Sequence, residues 1–147
     1  MDNLEQKLGK EIQEDVNIIG ETLQLEEGSK NKLEKLRQKY NEVGWDTSRI
    51  ENVEEAVDNI EEHSQIAVRK LKDAEKKLKQ GKDKEAAEEA DAALTQLDTA
   101  VLNFDSQVES IGLLDANLGI DLLEVVQASE RIKSRLKPFL KKEGMIR

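Results

Sequence analysis

The sequence predicts an all-α fold, an antiparallel bundle of four to five helices built around one long, coiled-coil-like helical hairpin. Two apolar ladders and the turn between them carry that expectation. Ile50, Val53, Val57, Ile60, Ser64, Ala67, Leu71, Ala74 and Leu78 step in alternating threes and fours, and so do Ala87, Ala90, Leu94, Leu97, Val101, Phe104, Val108 and Ile111. That spacing is a heptad seam; a half-buried strand would alternate every second residue. Reversal at Gln80-Gly81-Lys82-Asp83 sets Leu78 against Ala87, Leu71 against Leu94, Ile60 against Phe104 and Val53 against Ile111 with no slip in register. Composition agrees. Charged residues make up 37% of the 147 and aromatics only 3%, an inventory that suits close helix seams better than a wide sandwich or α/β core.

The first helix is expected over residues 2–27. Asp2 and Glu5 have the spacing of a capping box. Leu8 and Ile19, Gly9 and Gly20, and Ile12 and Leu23 recur after eleven residues, which keeps each pair near one helix face. Glycine inside a helix is costly, so Gly9 and Gly20 are read as points of close approach by a neighbour. Gly28-Ser29 is read as a stop and restart, opening a short helix over 29–43 that carries Leu33, Leu36, Tyr40 and Val43. Trp45, at the following joint, is expected to cover the end of the core.

Ser48 and Glu51 repeat the capping-box spacing and open the first hairpin arm, 48–80; Gly81 and Asp83 cap the tip, and the second arm spans 83–112. Asp115 or Asp121 then caps a last helix, 115–142, along Leu118, Leu122, Val125, Ser129, Ile132, Leu136 and Phe139. Pro138 predicts an end or a kink. All five segments are read as one domain. Ala56, Ala86, Ala93 and Ala100 flank one side of the hairpin, while Glu54, Glu61, Glu75, Asp91, Asp98 and Asp105 flank the other. A further helix with basic edges would fit both sides, and the last helix has that character.

The run Gly81 to Leu94, with Glu85-Ala86, Ala90 and Ala93-Leu94, is similar to the turn and second helix of a tetratricopeptide repeat. The resemblance covers less than half of one repeat and has no second copy at a period of about 34 residues, which argues against a solenoid.

Net charge is −9, unevenly spread: no Lys or Arg occurs from Glu85 to Glu130, whereas Arg69 to Lys82 and Arg131 to Arg147 are basic. Overall acidity argues against a dedicated DNA-binding protein. The basic segments hold no Trp or Tyr to stack on bases. Without cysteine there is no disulfide and no thiolate chemistry, and Met1-Asp2-Asn3-Leu4-Glu5 lacks the basic start and apolar run of a signal peptide. A cytoplasmic protein is the expectation.

Chemistry finds little support. The single histidine, His63, excludes a di-iron bundle with two Glu-x-x-His pairs and is read as an ordinary, partly exposed side chain. Glu51 with Glu54, and Glu55 with Asp58, resemble the carboxylate pairs of all-helical, magnesium-dependent nucleotide pyrophosphatases. Here both pairs overlap in one helix stretch, and no basic residue nearby would grip a phosphate. No cofactor, metal or small-molecule substrate is therefore expected.

The functional expectation is a non-enzymatic interaction or structural module that binds a protein partner or a second copy of itself by helix packing. The residues expected to carry it are Leu118, Leu122, Leu123 and Val126, with Arg131, Lys133, Arg135 and Lys137 beyond them. Anionic-surface binding, to membrane or nucleic acid, through that basic last helix is the first alternative, and a pyrophosphatase-like enzyme the second.

Overall fold

The structure, a computed structural model, describes residues 4–113 and 115–145. Four helices cover them: α1 (Leu4–Glu42), α2 (Ser48–Lys79), α3 (Asp83–Gly112) and α4 (Ala116–Lys142), with no strand among the described residues. Asp2 and the side chains of Asp105 and Val108 lie outside the described residues.

The ladders form the core. All nine predicted seam positions of α2 are buried, as are Ala87, Ala90, Leu94, Leu97, Val101, Phe104 and Ile111 of α3. Gly81 takes φ +74° at the tip, a left-handed conformation in which a side chain is strained. Lys77 bridges to Glu85 at 3.3 Å, Lys70 to Glu89 at 3.7 Å, and His63 Nδ1 lies 2.6 Å from Gln96 Oε1. Residue numbers thus fall along α2 as they rise along α3.

α1 packs against α2 and α4, and α4 also packs against α3. Two buried clusters result. One joins Leu8, Ile12 and Ile19 to Leu71, Leu78, Leu94, Ile132 and Leu136. The other joins Leu33 to Ile50, Val53, Phe104, Ile111, Leu118 and Leu122, so the α1–α2 and α3–α4 turns flank the same cluster. Ala86, Ala93 and Ala100 are buried on the flank of α3 that meets α2, Ala100 beside Ala56, and the last helix, expected on that side, instead packs on the Asp98 flank. Both outer helices bring cations to the acidic edges of the pair: Arg37 Nε donates to Glu54 at 2.8 Å, Lys30 bridges Asp58 at 2.8 Å and Glu61 at 3.5 Å, and Lys133 reaches Asp98 at 3.0 Å.

Several local expectations are corrected. No break occurs at Gly28-Ser29; α1 runs through it, because Ser29 turns inward and Leu33 continues the buried stripe, and packing outweighs glycine's weak helix propensity. Ser48 is the first residue of α2 rather than its cap. Thr47 takes the cap position and donates its hydroxyl to Glu51 at 3.2 Å, while Asp46 Oδ1 accepts from Ser48 N and Oγ. Similarly, Lys82 caps α3 and Asp83 begins it. Asp115 caps α4 as expected, accepting from Leu118 N at 3.0 Å. The helix continues past Pro138 to Lys142.

Gly9 and Gly20 are not points of close approach. A Cβ built at Gly9, Gly20 or Gly28 meets nothing within 4 Å, and none has positive φ. Gly20→Ala is therefore expected to stabilise the bundle by about 0.5–1 kcal/mol, through helix propensity and reduced freedom of the unfolded chain. A urea titration checks this, and a loss of stability would mean that a neighbour does use the space.

Candidate functional site

α4 divides the predicted interaction residues between two environments. Leu118 and Leu122 are fully buried and Val126 is nearly so, because each lies on the stripe facing α1 and α3. They are core, unavailable to a partner in the folded chain. Leu123 is 41% exposed and Ile120 57% exposed. The segment from Leu118 to Val126 is thus covered on its inner side only.

The basic residues beyond it also separate. Arg135 is engaged within the bundle, bridging Glu11 at 3.1 Å and pairing with Glu14 of α1. Lys133 holds Asp98 of α3, which identifies the edge of α4 that runs beside α3. Arg131 is exposed. Along the outward side of α4, Glu130, Lys133, Ser134, Lys137, Pro138 and Lys141 line an open groove of about 410 Å³ whose walls are mainly apolar. The aliphatic stems of three lysines and the ring of Pro138 provide that character, with ammonium groups at the rim.

Leu102 of α3, 80% exposed, lies one turn beyond Asp98 on the edge that meets α4. Leu113 is exposed at the α3–α4 turn. These residues lie in the span from Glu85 to Glu130 that carries no cation. The outer face of α4 is consequently apolar and acidic in its first half, grooved and basic in its second.

At the α1–α2 turn, Trp45 does not cover the core. It is 62% exposed and stands edge-on to Tyr40, with ring centroids 5.1 Å apart. Gly44, at φ +73°, lets the chain leave α1, and the indole stays on the outside of the bend.

Three of the four carboxylates considered for magnesium are engaged in other contacts: Glu51 with Thr47, Glu54 with Arg37, and Asp58 with Lys30. Among the described residues no group of three or more His, Cys, Asp or Glu side chains is arranged to hold a metal ion. No described helix is long and apolar enough to cross a membrane.

Sequence reading missed the inner face of α1. Its buried positions, Leu8, Ile12, Asp15, Ile19, Thr22, Glu26, Ser29 and Leu33, keep the heptad spacing, yet half of them are polar. Glu26 Oε1 accepts from Ser64 at 3.4 Å, while Glu26 Oε2 and Ser29 Oγ are buried without a hydrogen-bond partner. Ser64 of α2 therefore serves a carboxyl on α1. Burial, reinforced by the nearby Glu61 carboxylate, pushes the Glu26 carboxyl up to about 8. Burial likewise holds Asp15 far above the ordinary carboxylate range, aided by Glu11 beside it and opposed by Arg135; Glu11 is raised too, chiefly by burial. The available signal was the three-four spacing of these positions, read without regard to polarity.

Comparison with protein-family models, with curated proteins and with solved structures finds no match to this chain.

Proposed function

We propose that the protein is a non-enzymatic helical-bundle module that binds a protein partner, or a second copy of itself, by helix packing on the outer face of α4. The observation that carries this reading is the exposure of Ile120 and Leu123 on the outward side of α4, with Leu102 exposed on the neighbouring α3. Solvent-facing leucines scattered singly need no explanation, whereas several close together mark an association surface. The underlying architecture in this reading is an up-and-down antiparallel bundle around a coiled-coil-like α2–α3 hairpin. It is supported by the opposed numbering of the three α2–α3 pairs and by each helix having two neighbours. A reducing, cytoplasmic setting suits a chain without cysteine.

A photo-crosslinking amino acid placed at Leu102 or Leu123, and as a control at Lys39 on exposed α1 surface, tests the surface in cells of the source. Discrete adducts, with this chain or another protein, are expected from positions 102 and 123 and not from 39. Equal labelling from all three, or none from 102 and 123, would remove the basis for the proposal.

A further inference from the structure

On its inward side α1 differs from the other helices. Asp15, Thr22, Glu26 and Ser29 are buried there, whereas Ser64 is the one buried polar residue of α2 and Ser129 that of α4, among the described residues. Thr22 satisfies its hydroxyl on the Ile19 carbonyl at 2.8 Å. Both Asp15 oxygens, Glu26 Oε2 and Ser29 Oγ are buried without a hydrogen-bond partner. Among the described residues, buried side-chain atoms lacking a hydrogen bond occur on α1 alone. Each would regain hydration if this helix moved into water, and a carboxylate gains far more from that than a neutral carboxyl.

We propose that α1 is a pH-gated strap: it leaves its seat on α2 and α4 as a unit while those helices and α3 stay packed, and rising pH through the neutral range favours the released form. The inference is independent of the reading of the outer face of α4. Leu8, Ile12, Ile19 and Leu33, all buried, hold the strap down. The α1–α2 turn, where Gly44 takes φ +73°, is its hinge. The remainder keeps its main seam, since α2 and α3 meet along apolar ladders and α4 keeps its packing on α3.

The charges around the two carboxyls fix the sign of the response. Beside Asp15 stand Glu11 and Glu14 of α1 and Arg135 of α4, whose guanidinium is shared with both glutamates. At the same level α2 carries Lys72, Glu75 and Lys79 on the heptad flank of Glu54 and Glu61, with Lys79 held by Glu75 at 3.7 Å. Glu26 meets Ser64 and the Glu61 carboxylate of α2, and Lys30 of α1 is divided between Glu61 and Asp58. Between Asp121, which holds Lys32, and Arg135, α4 carries Glu124, Glu130, Arg131 and Lys133, the last turned to Asp98 of α3. Arg135 and Lys30 are thus already engaged by other acids, so ionising Asp15 or Glu26 leaves a buried charge beside further carboxylates. In the released helix both carboxyls stand in water and ionise at ordinary values. The docked form therefore holds more protons, and each carboxyl favours release by up to about tenfold per pH unit between its ordinary value and about 8.

Hydrogen exchange of the full chain at pH 6 and pH 8, read as protection factors so that the intrinsic pH dependence of exchange cancels, tests the strap. Amides of α1 between Leu8 and Leu33 are expected to share a protection at least about tenfold below that of the α2 ladder from Val53 to Leu78 at both pH values. Between pH 6 and pH 8 that α1 protection should fall at least about 100-fold. In Asp15→Asn with Glu26→Gln, which keeps the shapes and removes both titrations, the fall should shrink to less than about tenfold. Each single variant, read in the same way, should remove part of it. One common protection factor for α1 and α2 at both pH values would overturn the strap, because α1 would then leave only with global unfolding. An α1 protection that ignores pH in the parent, or an undiminished fall in the variants, would overturn the gate.

Discussion

Raising the pH from 5 to 8 should destabilise the bundle by several kcal/mol, and Glu26→Leu should remove a large part of that loss. Glu26 is fully buried on α1, facing Ser64 and the Glu61 carboxylate of α2, and its carboxyl is pushed up to about 8 from the ordinary value of 4.5. A carboxyl raised in the folded state binds its proton more tightly there than in the unfolded chain. Between about pH 4.5 and 8 the folded state therefore holds more protons, and stability falls as pH rises through that window. For Glu26 alone the loss is on the order of 4 kcal/mol. Asp15 shifts in the same direction and adds to the slope, with Glu11 and Glu14 on α1 opposing its ionisation and Arg135 on α4 favouring it. Urea unfolding at pH 5, 6.5 and 8 measures the effect. Leucine at position 26 should flatten the profile and stabilise the protein at pH 8; an unchanged slope would mean that water reaches the carboxylate and keeps it charged.

Phe104→Ala should cost about 3–5 kcal/mol, a large share of the total stability of a small domain. The ring is 1% exposed in the cluster that joins Val53, Val57, Val101, Leu122 and Val125. Beside it lies an open groove of about 280 Å³ floored by Ala56 and Ala100. That space lets neighbours relax into part of the cavity and places the expected cost toward the lower end of the range. A denaturation midpoint equal to that of the parent would show that the ring lies outside the core.

The two middle helices were legible in the sequence because, among the described residues, every buried position but Ser64 is apolar, so each described ladder position is also a buried one. α1 was less legible for the opposite reason. Its inward stripe keeps the same spacing, but Asp15, Thr22, Glu26 and Ser29 interrupt it, and Gly28 suggested a break where packing carries the helix through. On α4 the apolar pattern identified the segment from Leu118 to Val126 but not the division within it. Which residues face in depends on where α1 and α3 lie, and that placement leaves Leu123 outside while burying Leu122. The groove at Pro138 was hidden because sequence presents its residues as a basic run, whereas in three dimensions their stems enclose an apolar trough. Trp45 ran against the general tendency of tryptophan at a bend, since left-handed Gly44 carries the chain outward before the indole can turn onto the core.

Light scattering of Leu123→Glu, read beside its thermal melt, tests most directly the claim that the outer face of α4 is the working surface of this protein. Leu123 is solvent-facing, so the variant should melt within about 0.5 kcal/mol of the parent, while its association through this face is lost. A variant that matched the parent in both stability and association would contradict the account.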